Sequence, residues 1–166
     1  MEKKDRIADI IDNVRRVFQI LHEQSKKAEK ETGLTSPQLW AIKVIADSAP
    51  VRVSELARRM YLHPATVVGI LDRLEARGLA KRSGCEKDHR VVLVDLTDKG
   101  RSLVVSAPGV AQGFLVSGLE QLSGDVLEEI NGGLSKLVQI FGAQKIPPKL
   151  IMSSEMNVPG ERQQKG

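Results

Sequence analysis

Apolar residues recur at three- and four-residue steps along most of this chain, the spacing of helices with one buried face. Over residues 3–31 the stripe is Ile7, Ile10, Ile11, Val14, Val17, Phe18 and Leu21, opposite Lys4, Asp5, Asp9, Asp12 and Arg16. A helix of that length spans on the order of 40 Å. This is long for so small a domain, so part of the stripe is expected to pack on a second subunit; packing within the monomer is the alternative. Gly33 ends the helix. Ser36-Pro37 then reads as a cap followed by a first-turn proline. The next helix, to about residue 48, carries Leu39, Trp40, Ile42, Val44 and Ile45 on several faces, interrupted only by Lys43. A helix apolar nearly all round is buried between other elements, which puts Trp40 in the core.

Residues 53–100 change the pattern. Ser54 is placed to cap a short helix in which Leu56, Ala57 and Met60 share a face and Arg58 and Arg59 fall outside it. Tyr61-Leu62-His63 is a turn, and Pro64 restarts a helix at a position where its missing N–H costs nothing. That helix runs to about Arg77 and stops at Gly78, a candidate left-handed cap. Val67, Ile70, Leu71 and Leu74 face the core; Ala65, Gly69, Asp72 and Ala76 lie opposite, flanked by Thr66, Val68 and Arg73. Gly69 costs about 1 kcal/mol against alanine inside a helix. One reason to keep it is close backbone approach to another molecule, with Ala65 and Val68 able to touch thymine methyls and Thr66 able to bond bases or phosphates. The other is an ordinary solvated face with a tolerated glycine. Residues 79–83 and 91–96 suit two strands, and 51–53 can add a third. Between the two, Lys81, Arg82, Lys87 and Arg90 put four positive charges on a small hairpin. Such a tip fits a minor groove or is simply solvated. The order is helix, turn, helix, strand, loop, strand: a winged helix-turn-helix, in a chain that is mainly α with a small β-wing.

Thr97 can cap the following helix, whose apolar residues include Leu103, Val104, Ala107, Val110, Ala111, Phe114, Leu115 and Leu119. Pro108-Gly109 interrupts it, predicting a kink or break. Ser123-Gly124-Asp125 opens the last helix, with a seam of Leu127, Ile130, Leu134, Leu137, Val138 and Phe141, locally weakened by Gly132-Gly133. From Gly142 the composition turns polar and Pro147-Pro148 blocks helix. The 142–166 tail is either a floppy terminus or an arm that packs on a partner subunit through Leu150, Ile151 and Met152.

Charge sharpens this picture. Of a net +4 over 166 residues, residues 51–101 hold eleven Lys/Arg against seven Asp/Glu, so the excess sits on the winged stretch. That asymmetry favours a polyanionic partner. Asp72 runs against it, since phosphate repels a carboxylate on that face; pairing with a basic wing residue or with Arg77 is favoured over accepting from cytosine. A single cysteine excludes an internal disulfide and fits a reducing cytoplasm. The charged start MEKKDR has no apolar run after it and no stretch reaches membrane-span length, so neither a signal peptide nor a membrane partner is expected. Cys85, beside Lys87, His89 and Arg90, reads as an incidental exposed thiol. Cys85 and His89 are the only near pair of metal-ligand type, and no nucleophile elbow, phosphate loop or paired carboxylates occur. No metal, cofactor or enzymatic activity is expected.

The segments SELARRM, PATVVGILDRLEARGL and Asp88-His89-Arg90, followed by Leu96-Thr97-Asp98-Lys99-Gly100, resemble the MarR family of transcription regulators. The resemblance covers residues 5–141 and is tightest over 34–103. It implies a homodimeric DNA-binding regulator, a repressor or an activator, with a repressor on an inverted-repeat operator favoured. Residues 3–141 would form one domain: dimerisation helices from 1–35 and 101–141, and a winged helix in 51–100 with helix-turn-helix 54–77 and wing 79–96. By resemblance, Arg90 enters the minor groove, Asp88 braces it and Ala65 to Gly69 read the major groove of double-stranded DNA. Candidate DNA contacts are Ser54, Arg58, Arg59, His63, Pro64, Ala65, Thr66, Val68, Gly69, Arg73, Lys81, Arg82, Lys87, Asp88, His89 and Arg90. Many members carry Thr-Arg where this chain has Val68-Gly69, so an arginine read-out of guanine is absent and the operator cannot be borrowed. Similar proteins bind small aromatic effectors between the dimerisation helices and the winged domain, which implies a crevice near Leu21, Trp40, Val44 and the 103–114 helix. A winged helix used for protein binding and a non-specific DNA-binding protein are the alternatives.

Overall fold

A computed structural model describes residues 2–157. The first helix, α1 (Lys3–Thr32), is one unbroken rod opened by a reciprocal Glu2/Asp5 cap and closed by Gly33 at φ 68°. Glycine meets no Cβ penalty in that left-handed conformation. The second, α2 (Ser36–Ser48), starts one residue earlier than its Ser-Pro pair predicts: Thr35 is the N-cap, and its N–H donates to the Gln38 side chain at 3.3 Å. Eight of its residues are buried, Trp40 among them, because α2 is packed by α1, by the winged elements and by the later helices.

The winged unit follows as β1 (Val51–Arg52), α3 (Val53–Met60), α4 (Pro64–Ala76), β2 (Ala80–Gly84) and β3 (Val92–Leu96). The sheet is antiparallel in the order β1-β3-β2, with Val51 opposite Val94 and Arg82 opposite Val94 on its other side. The predicted third strand is present as two residues. Ser54 does not cap α3. The helix begins at Val53 with Arg52 as N-cap, and Ser54 lies inside the first turn, because Val51 and Arg52 are held in the sheet and the chain turns directly into helix. Tyr61 adopts φ 54° at the turn, and Gly78 takes the predicted left-handed conformation at φ 68°. Leu56, Met60, Val67, Ile70, Leu71, Leu74, Leu79, Val94 and Leu96 close the core between helices and sheet, each at most 1% exposed.

Beyond the wing, Thr97 caps α5 (Asp98–Ser106) by accepting from Gly100 N–H at 3.1 Å. Its hydroxyl donates to the Gly78 carbonyl at 2.6 Å. The interruption at Pro108-Gly109 is a true break: α5 ends, and α6 (Ala111–Glu120) leaves at 79°. The last helix, α7 (Gly124–Ile140), is capped by Ser123 and passes through Gly132-Gly133 without interruption. None of its residues is buried. Among the described residues no single helix is long and apolar enough to cross a membrane. The tail departs from both expectations in residues 142–157. It folds back on its own chain, with Leu150 4% exposed and Lys149 bridged to Met156. Residues 158–166 of the tail lie outside the described residues.

Candidate nucleic-acid interface

The start of α3, the outer side of α4 and the wing leave a groove of about 700 Å³, lined by Arg52, Val53, Ser54, Val68, Arg82, Ser83, Gly84, Arg90 and Val91–Val92. Three arginines are in this lining and, among the described residues, no acidic residue is. Arg52, the exposed residue of β1 and the N-cap of α3, lines this groove although it was not among the predicted contacts. Ala65, Val68, Lys81, Lys87 and His89 are exposed, as their predicted roles require, and the position a Gly69 Cβ would take has no atom within 4 Å. No internal packing therefore demands glycine there. Pro64 opens α4 as predicted, with His63 as N-cap.

Arg90 stands at the wing tip with its side chain 93% exposed. The Asp88 carboxylate accepts from both the Arg90 backbone N–H, at 3.0 Å, and its Nε, at 3.3 Å. A side chain held from two points of its own loop retains reach while losing rotamer freedom. Arg82, grouped with it as a free wing cation, is instead only 26% exposed. Its backbone N–H and guanidinium donate to Glu75 at 2.6–3.0 Å, and its Nη2 also pairs with Asp72. Glu75 foremost, then Asp72, raise its already high pKa. Arg82 fastens the wing to α4, and Asp72 has the intramolecular partner that its position predicted. Arg58 and Arg59 share Glu55 at 2.7 and 2.8 Å. Arg58 first and Arg59 second hold the Glu55 carboxyl down at about 2, so it stays ionised at any ordinary pH.

Two predicted reading residues have other partners. Thr66 is 9% exposed, and its hydroxyl donates to the Met156 carbonyl at 3.4 Å. Arg73 pairs with Glu155 at 2.7 Å. Residues so remote in the chain carry no local signal of these contacts. Cys85 is half-buried rather than exposed, its N–H donating to Val91. Among the described residues no group of three or more His, Cys, Asp or Glu comes together to hold a metal ion.

A second cleft, about 640 Å³, lies on the other side of α3. Trp40, Val44, Val110, Phe114 and Val116 form its apolar lining; Lys43, Arg58, Arg59, Asp47 and Glu120 supply charge. Tyr61 crosses it, its hydroxyl donating to Glu120 at 2.9 Å, and that carboxylate raises the phenol pKa. Trp40 and Val44 are thus where the crevice was expected. Leu21 is not in its lining; the neighbouring Ile20 faces a smaller hollow with Gln24, Lys27 and Phe114.

Residues 32–91 match the sequence profile of the MarR family. The HTH-type transcriptional regulator MgrA of Staphylococcus aureus is 31% identical over 127 residues, covering 76% of this chain and 85% of that protein. A MepR-like protein crystallised with pseudoligands is 27% identical at a TM-score of 0.53, covering 87% of this chain and all of the other. CouR of Rhodococcus jostii RHA1, bound to p-coumaroyl-CoA, is 28% identical at 0.52, covering 78% of this chain and 91% of that one. With its helix-turn-helix, its braced wing arginine and this extent of similarity, the chain belongs to the MarR family of transcription regulators.

Proposed function

We propose that the protein is a homodimeric regulator that grips an inverted-repeat DNA operator, each subunit setting α4 in a major groove and Arg90 in the adjacent minor groove. The observation that carries this reading is the open groove between α4 and the wing, lined by Arg52, Arg82 and Arg90, with the Arg90 side chain 93% exposed at its edge. Lys81 and Lys87 extend the positive rim toward phosphates. Homodimerisation is supported by two apolar faces left exposed among the described residues: Ile7, Ile10, Ile11, Val17 and Phe18 of α1, and Leu127, Ile130, Leu134 and Val138 of α7, all 37–65% exposed. Contiguous exposed apolar surface of this kind marks an interaction site. Two-fold symmetry then requires two half-sites about one helical turn apart. Hydroxyl-radical footprinting on the DNA upstream of the coding region tests this. Two symmetric protected tracts about ten base pairs apart are expected; a single tract or uniform protection contradicts it.

The cleft behind α3 supports control by an effector. Its indole, phenyl and aliphatic walls, with Lys43, Arg58 and Arg59 beside Asp47 and Glu120, suit a small aromatic molecule with a polar group. Three of its lining residues, Arg58, Arg59 and Tyr61, belong to α3 or the turn after it. A ligand there bears directly on the helix that positions α4, which gives the differential contact that a shift between DNA-competent and DNA-incompetent states needs.

A further inference from the structure

The segment 149–157 closes on itself and lies against α4. Leu150 N–H donates to the Glu155 carbonyl at 2.7 Å, Asn157 N–H donates to the Pro148 carbonyl at 2.9 Å, and Lys149 bridges Met156. Buried Leu150 anchors this hairpin. Three of its polar groups meet the recognition helix or its N-cap. The Asn157 Oδ1 accepts from the His63 backbone N–H at 3.0 Å. The Met156 carbonyl accepts from the Thr66 hydroxyl at 3.4 Å. The Glu155 carboxylate, only 16% exposed, pairs with Arg73 at 2.7 Å.

Every hairpin group in these contacts is an acceptor, and every α4 group is a donor of a kind that DNA phosphate takes: an amide at a helix N-terminus, a hydroxyl and a guanidinium. Thr66 and Arg73 are one turn-pair apart, at i and i+7, on the flank of α4 opposite the one that Asp72 and Glu75 present to the wing. Ala65 and Val68 remain exposed. The hairpin therefore takes the anion-binding flank of the helix and leaves the centre of its outer face open.

We infer that the 149–157 hairpin is an intramolecular competitor of DNA: its acceptors hold the phosphate-contacting donors of α4, and DNA must displace it to bind. The inference rests on the proposed DNA-reading role of α4. The apparent affinity of the chain is its intrinsic affinity reduced by the fraction of molecules with the hairpin released. Weakening the hairpin therefore tightens DNA binding, the opposite of what loss of a DNA contact does.

The test uses the full chain carrying Glu155→Ala and Asn157→Ala together, beside the unsubstituted chain and Arg90→Ala. Fluorescence anisotropy is read on the DNA upstream of the coding region, and hydrogen exchange is read at the Leu150 and Asn157 amides with and without that DNA. The double variant is expected to bind about five- to tenfold more tightly, and both amides to lose protection in the unsubstituted chain's complex. Equal or weaker binding by the double variant, or amides that stay protected on DNA, overturns the competition while a loss of binding in Arg90→Ala leaves α4 and the wing as the DNA surface. Absence of binding by all three chains overturns both readings.

Discussion

At the scale of single residues, two glycines separate folding from function. A Cβ on Gly100 would lie 2.1 Å from the Leu79 carbonyl oxygen, backbone that cannot yield cheaply. That contact is the physical reason for glycine at the end of the Leu96-to-Gly100 signature, where α5 starts against the end of α4. Gly100→Ala is expected to destabilise the protein by about 3 kcal/mol, seen as a lower midpoint in urea unfolding. Gly69 has open space instead. Gly69→Ala is expected to stabilise the fold by up to about 1 kcal/mol through helix propensity and yet to weaken DNA binding, because the added methyl stands between α4 and the groove. A gain in stability with unchanged DNA affinity would show that no close approach occurs there. Glu55 gives a pH signature. Its pKa falls from 4.5 to about 2 on folding, through Arg58 first and Arg59 next. A lowered acid stabilises above its unfolded pKa and loses that contribution as pH falls through the folded one. The difference in Tm between the protein and Glu55→Gln should be constant above pH 5 and disappear as pH approaches 2.

At the scale of elements, the wing is held to α4 by Arg82. Glu75 makes three of its contacts and is 29% exposed, whereas Asp72 makes one and is 58% exposed. Glu75→Gln should therefore loosen the wing and weaken binding to all DNA sequences alike, and Asp72→Asn should do so less, by under 1 kcal/mol. A change confined to one base position would assign these carboxylates to base reading instead. In the helices outside the wing, Leu134 is 57% exposed in the isolated subunit. Leu134→Glu is expected to leave the helical circular dichroism intact and to shift the protein to monomer in sedimentation velocity. A dimer that survives places the subunit contact elsewhere.

At the scale of the molecule, the sequence carried most of what depends on periodicity and several of the local caps, though not those of α2 and α3. The helices, the break at Pro108-Gly109, the helix end at Gly33 and the left-handed Gly78 were legible, since each is written within a few residues, and the Asp88–Arg90 brace through the family resemblance. Side chains whose partners are remote were not. Thr66 and Arg73 look like free readers of DNA until the 149–157 hairpin arrives some ninety residues later. Arg82 looks like a free wing cation until β2 pairs with β3 and turns it onto Glu75. The cleft lined by Trp40 and Val44 does not include Leu21. The central claim is that the α4–wing groove binds DNA with Arg90 as its minor-groove anchor. The most direct test is fluorescence anisotropy against the DNA upstream of the coding region across a salt series, with Arg90→Ala alongside. Affinity that falls steeply with salt through counterion release, prefers this DNA to a scrambled duplex, and drops about tenfold or more in Arg90→Ala is the predicted result. Binding indifferent to sequence and to Arg90, or absent at low salt, would contradict the account and point to a winged helix that binds protein.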